Sequence, residues 1–247
     1  MTERLSGGFH RFRDEASCQG IQQIDGFTRL PALYSGRSRW PVAGPMETDF
    51  YRARVAPYQF RRGGKADSPI LLPLAALSAD LPAMTLLCRR ICPTAPVLVP
   101  DIDRLAERGL PASAASRAVV DRLADVVAAA VYTHSLSLVP IIVLGHGEGA
   151  DMAAELLLTH ASFLSACILL RPTARIAAVT PGTLDGIHVL LARTSGEEAA
   201  GTVGWQIHGR LVQAGAVVIC ERVAAHRKPG IREAVIGRVF VSTLFGT

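Results

Sequence analysis

The chain has 247 residues, 49% of them hydrophobic and 19% charged. That is apolar enough to bury a sizeable core and far from a disordered composition. The net charge is +5, and the excess lies early: residues 1 to 65 hold eleven of the 26 Lys and Arg but only six of the 21 Asp and Glu. Arg37, Arg39, Arg52, Arg54, Arg61, Arg62 and Lys65 make up this basic stretch. No nucleic-acid motif accompanies them, so they read as a solvated strand and tail and not as a nucleic-acid interface.

Apolar runs stop well short of the roughly 18 to 20 residues a membrane helix needs; Val126 to Val131, for instance, meets Tyr132, Thr133 and His134. No membrane span is expected. The first residues lack the basic head and apolar block of a secretory signal, which makes a cytoplasmic address the default. Cys18, Cys88, Cys92, Cys167 and Cys220 show no framework spacing and suit reduced thiols. Cys88 and Cys92 would share a helix face, but with no second pair of ligands nearby they read as buried small hydrophobes, and no metal is expected.

Residues 1 to 48, rich in Gly, Ser, Arg and Pro, read as an irregular N-terminal extension, and residues 49 to 247 as a single α/β domain. The alternation from Asp49 to Phe60 predicts an edge strand, stopped by Gly63 and Gly64. Apolar runs predict buried strands at Pro69 to Leu74 and Ala95 to Val99. Between them lies a helix over Leu81 to Ile91, with Asp80 as N-cap and Pro82 in the first turn. A helix follows Pro111, its apolar stripe formed by Val119, Val120, Leu123, Val126, Val127, Ala130 and Val131.

Pro140 to Leu144 is the next strand and Glu148 to His160 the next helix. Further strands are expected at Cys167 to Leu170, Ile187 to Ala192 and Ala216 to Cys220, with helices near Thr202 to Gln213 and Ile231 to Phe245. Strands apolar throughout and alternating with helices imply a mostly parallel sheet covered by helices on both faces. Gly-x-Gly-x-Gly at 145 to 149 is not the dinucleotide spacing and no phosphate loop is present, so no nucleotide cofactor is expected.

The turn after Leu144 lies beyond the carboxyl end of a strand, where such sheets place their ligands. A sharp strand-to-helix turn needs small residues on its flanks, and Gly145, Gly147, Gly149 and Ala150 meet that demand. The stretch Gly145-His146-Gly147-Glu148-Gly149-Ala150, its Ala/Leu-rich helix and the later Leu169-Leu170-Arg171-Pro172 resemble the phospholipase/carboxylesterase family of α/β-hydrolases, related to dienelactone hydrolases. The order of elements matches from about residue 50 onward.

The resemblance implies an elbow serine as nucleophile, a histidine base after the last strand, an acid after the preceding strand, and backbone amides as an oxyanion hole. Gly147 occupies the nucleophile's position and cannot attack. Glu148 follows it, where the backbone amide serves the oxyanion hole, and its side chain reads as a capping or surface carboxylate. His226 falls at the base's position. Glu197 is a displaced candidate for the acid, with an ordinary solvated loop residue as the plainer reading. His146 is expected to pack or hydrogen-bond locally. The oxyanion loop after the first core strand, Leu74 to Asp80, has lost its glycines and carries Ser78.

The function expected from this pattern is a degenerate hydrolase retained for binding a small ester-like or apolar ligand, or for interaction. Two alternatives stand beside it. One is an active carboxylesterase or thioesterase with a relocated nucleophile, Ser78 or Ser195; the other is non-hydrolytic acid/base chemistry using His226.

Overall fold

A computed structural model describes residues 58–64, 68–75, 80–105, 112–173, 183–194, 202–224 and 229–247. The N-terminal extension expected over residues 1 to 48 lies outside them. Seven strands form one sheet: β1 (Tyr58–Arg61), β2 (Ile70–Leu74), β3 (Val97–Pro100), β4 (Ile141–His146), β5 (Ala166–Leu170), β6 (His188–Thr194) and β7 (Val217–Val223). Their spatial order is β1-β3-β2-β4-β5-β6-β7. Every pairing is parallel except that of β1, which runs antiparallel to β3 at one edge.

Among the described residues, six α-helices accompany the strands: α1 (Leu81–Ile91), α2 (Ile102–Leu105), α3 (Ala112–Thr133), α4 (Glu148–Thr159), α5 (Val203–Gln213) and α6 (Ile231–Phe245). Because strand side chains alternate between faces, each strand feeds two cores. Leu72, Leu74, Val143, Leu169 and Leu191 pack with residues of α3, α4 and α5. Leu71, Ile142, Leu144, Ile168 and Leu190 pack with residues of α1 and α6 on the other side. The stripe on α3 read from the sequence is buried throughout. Both faces covered is the reason β2, β4 and β5 are apolar up to their carboxyl ends.

Pro73 sits inside β2, a strand flanked on both sides, where a missing N–H normally breaks a ladder. Leu71 sends its N–H to Pro96 on the β3 side at 2.9 Å. Two residues on, Pro73 faces that same side, and β2 pairs with β3 only at Leu71↔Val97. The ladder toward β3 has ended where the donor is missing.

Several boundaries differ from the sequence reading. β4 runs on to His146, β6 to Thr194 and β7 to Val223, so Arg193 and Arg222 belong to strands and stand opposite one another. Polar residues at strand ends had marked loops, but the backbone ladder does not depend on them. Asp80 precedes α1 in a helical conformation and makes no side-chain cap bond, contrary to its expected role. The short α2 was not anticipated; four residues are too few to show a helical period.

Candidate active site at the elbow

β4 ends at His146 and α4 begins at Glu148, so the chain turns from strand to helix on Gly147, with φ +58° and ψ −128°. L side chains rarely adopt that combination. The flanking glycines are needed for a different reason. A side chain on Gly145 would overlap the Gly149 carbonyl and the Ala150 backbone, and one on Gly149 would overlap the backbone of Leu74 and Ala75. These two let α4 lie directly against β4 and β2. At Gly147, by contrast, an added Cβ meets no atom of the described residues within 4 Å, so among them the constraint there is conformational.

Two ties hold the turn. Gly147 N–H donates to the Leu170 carbonyl at 2.9 Å. The Asp151 carboxylate, in the first turn of α4, accepts from the Thr173 N–H at 2.8 Å and hydroxyl at 2.6 Å. The segment after β5, Leu170-Arg171-Pro172-Thr173, is thereby clamped to the elbow.

Arg171 lies at the centre of a buried polar cluster. It has φ +52°, and its N–H donates to Ala192 at 2.8 Å. Its side chain reaches Glu233 of α6, Nη2 to Oε1 at 3.1 Å, with both side chains buried. The contact is ionic; the atoms are too poorly aligned for a hydrogen bond, and Arg171 Nε has no partner among the described residues. Glu233 uses its other oxygen to accept from the Gly230 N–H at 2.9 Å. This is half a capping box, the glycine having no side chain to return the bond. The start of α6 is thus anchored to the end of β5, next to the elbow strand.

His146 is half-buried beside this cluster, and its Nε2 is buried with no hydrogen-bond partner among the described residues. The expected local hydrogen bond is therefore not made through that atom. Burial, then the Arg171 charge, hold His146 below the usual histidine value, while Glu233 and Asp80 pull the other way. Glu148 is exposed at the first position of α4, where the helix dipole favours its charge. It does not cap the helix, since the cap position is Gly147.

Gly145, His146, Gly147 and Glu148 are therefore brought together at one turn. Ser78, Ser195, Glu197 and His226 lie outside the described residues. The strands that precede them, β2, β6 and β7, end at Leu74, Thr194 and Val223 on the same carboxyl edge as the elbow. β7 is three strands from β4, about 14 Å at ordinary spacing. Val223 and Gly230 bracket the segment that carries His226, and Gly230 is tied through Glu233 to Arg171. Neither Arg171 nor Glu233 was singled out as a site residue. The Gly230…Glu233 spacing was the available signal for the cap, whereas the ion pair joins elements far apart in sequence.

No protein-family model and no curated protein matches this sequence. Solved structures do match. The carboxylesterase of Bacillus cereus is 20% identical with a TM-score of 0.63, over 76% of this chain and 94% of that one. A carboxylesterase from Mesorhizobium loti is 25% identical with a TM-score of 0.62, over 75% and 93%. A dienelactone hydrolase from Anabaena variabilis is 11% identical with a TM-score of 0.56, over 76% and 90%. The chain therefore carries the α/β-hydrolase fold in the form seen in carboxylesterases and dienelactone hydrolases.

Proposed function

We propose that this protein is a degenerate member of the phospholipase/carboxylesterase group that has lost acyl transfer and binds a small ester-like or apolar ligand at its carboxyl edge. The observation that carries the reading is Gly147: the elbow keeps the sharp backbone turn that exposes a nucleophile, yet its apex has no side chain. A covalent intermediate needs an attacking atom at that point, and the backbone supplies none. The loop after β2 lacks the glycines that would bring a second oxyanion donor close, which removes a further part of the machinery. That no atom of the described residues lies within 4 Å of a Cβ on Gly147 supports a bound molecule in place of a reacting serine.

The test is hydrolysis of p-nitrophenyl esters by purified protein, with labelling by a fluorophosphonate. The expected outcome is turnover no faster than a heat-denatured control, and no label. Turnover that survives Gly147→Ala and disappears in His226→Ala overturns the proposal, as does a labelled serine at 78 or 195.

A further inference from the structure

Arg193 is a buried charge that the elbow does not explain. It lies in β6 one position beyond Ala192 and is only 8% exposed. Its guanidinium carbon stands 4.3 Å from the centroid of the Trp205 ring on α5, and its charge acts on the Cys220 thiol of β7, favouring the thiolate against burial. Its Nε is buried with no hydrogen-bond partner among the described residues.

The charged and titratable neighbours do not neutralise it. His208, also on α5, sets its ring edge-on to Trp205 with centroids 5.7 Å apart, and burial and the Arg193 charge both disfavour its protonation. Arg222 is the register partner of Arg193 and has the same sign. Glu221 lies in the next row and approaches Arg232 at 3.9 Å. Among the described residues, no carboxylate forms an ion pair with Arg193.

The contrast with Arg171, one strand away, is informative. Both are buried at the carboxyl edge, but Arg171 has its own carboxylate in Glu233. Stacking on an indole and a nearby thiol offset only part of the desolvation of a guanidinium. Its planar fork matches a carboxylate in two parallel bonds, and an aromatic face holds the plane still.

We propose that Arg193, backed by Trp205, receives the carboxylate of a small organic acid. This deepens the ligand-binding reading of the preceding section and rests on it. β6 lies two strands from β4, about 10 Å, so an acid held at Arg193 can extend toward the elbow at Gly147. The same chemistry has a second source, the side chains of Glu197 and Glu198 a few residues along the chain, and the experiment separates the two.

Thermal denaturation and calorimetric titration are carried out with sodium acetate, sodium succinate and inorganic phosphate. The proteins are the intact chain, Arg193→Gln, Arg193→Lys and the double variant Glu197→Gln/Glu198→Gln. The expected result is a saturable rise in Tm with succinate in the intact chain and the double variant, and none in Arg193→Gln. If Arg193→Gln does not fold, Arg193→Lys, which keeps the charge and loses the fork, is expected to bind succinate at least tenfold more weakly while remaining folded. A response confined to the double variant assigns the counter-charge to the glutamates and overturns the proposal. No response in any protein, or a response retained without Arg193, overturns it as well. Failure here with ester turnover still absent removes this site alone, whereas ester turnover removes the degenerate reading whatever the acids do.

Discussion

Replacing Gly147 by serine separates two demands that the elbow places on its glycines. At φ +58° and ψ −128° a side chain is strained, at a cost of about 1 to 3 kcal/mol. Reduced freedom of the unfolded chain returns about 0.4 to 1 kcal/mol. No clash with the described residues is added, because the new Cβ meets none of their atoms within 4 Å. The net loss is about 0 to 2.6 kcal/mol, which for a domain of this size lowers Tm by at most roughly 10 °C. Gly145→Ala is the control: its Cβ overlaps the backbone of Gly149 and Ala150, which no rotamer relieves. That variant is expected to lose more than about 4 kcal/mol or to fail to fold. Circular dichroism melts of the three proteins measure both effects. Equal destabilisation by the two substitutions would refute the claim that the constraint at Gly147 is conformational and not steric.

Glu233→Gln keeps a group able to cap Gly230 but leaves Arg171 buried without its counter-charge. A loss of about 3 kcal/mol is expected, a fall in Tm of roughly 6 to 12 °C, and the Arg171→Met/Glu233→Met pair should be milder; a single variant no less stable than the double contradicts a buried ion pair. His146 supplies a pH dependence. Its folded value is depressed, so above the unfolded value of about 6.5 it is neutral in both states, and as pH falls below that the unfolded chain takes the proton first. Stability then declines by at most about 1.4 kcal/mol per pH unit from this group. Urea denaturation at pH 5 and pH 7.5 should show a smaller acid loss in His146→Gln than in the parent. The difference is partial because His134, His188 and His208 are also depressed by burial, and identical losses would remove His146 from the account.

Much of the fold was legible because its signals are periodic. The apolar runs of β4 and β5 and the stripe on α3 are dictated by burial on both faces of one sheet, and α6 ends where Gly246 takes a left-handed conformation at φ +67°. The elbow was legible for a related reason: Gly145 and Gly149 are the only residue type that fits between α4 and the sheet. Its polar surroundings were not. Arg171 reaches Glu233 across 62 positions of chain, and Arg193 lies over Trp205 only because β6 outlasts its apolar run. Such pairs are set by tertiary placement and leave no spacing to read.

The sheet has two unlike margins. At one, β1 runs antiparallel to β3; at the other, β7 runs parallel to β6, and neither has a further strand beside it among the described residues. An open parallel margin is a template for pairing with another chain. β7 ends in Glu221 and Arg222 before Val223, the arginine exposed and the glutamate partly so. Charges there penalise the approach of an identical margin, so the same rim residues that border the Arg193 cluster also guard the sheet against edge-to-edge aggregation.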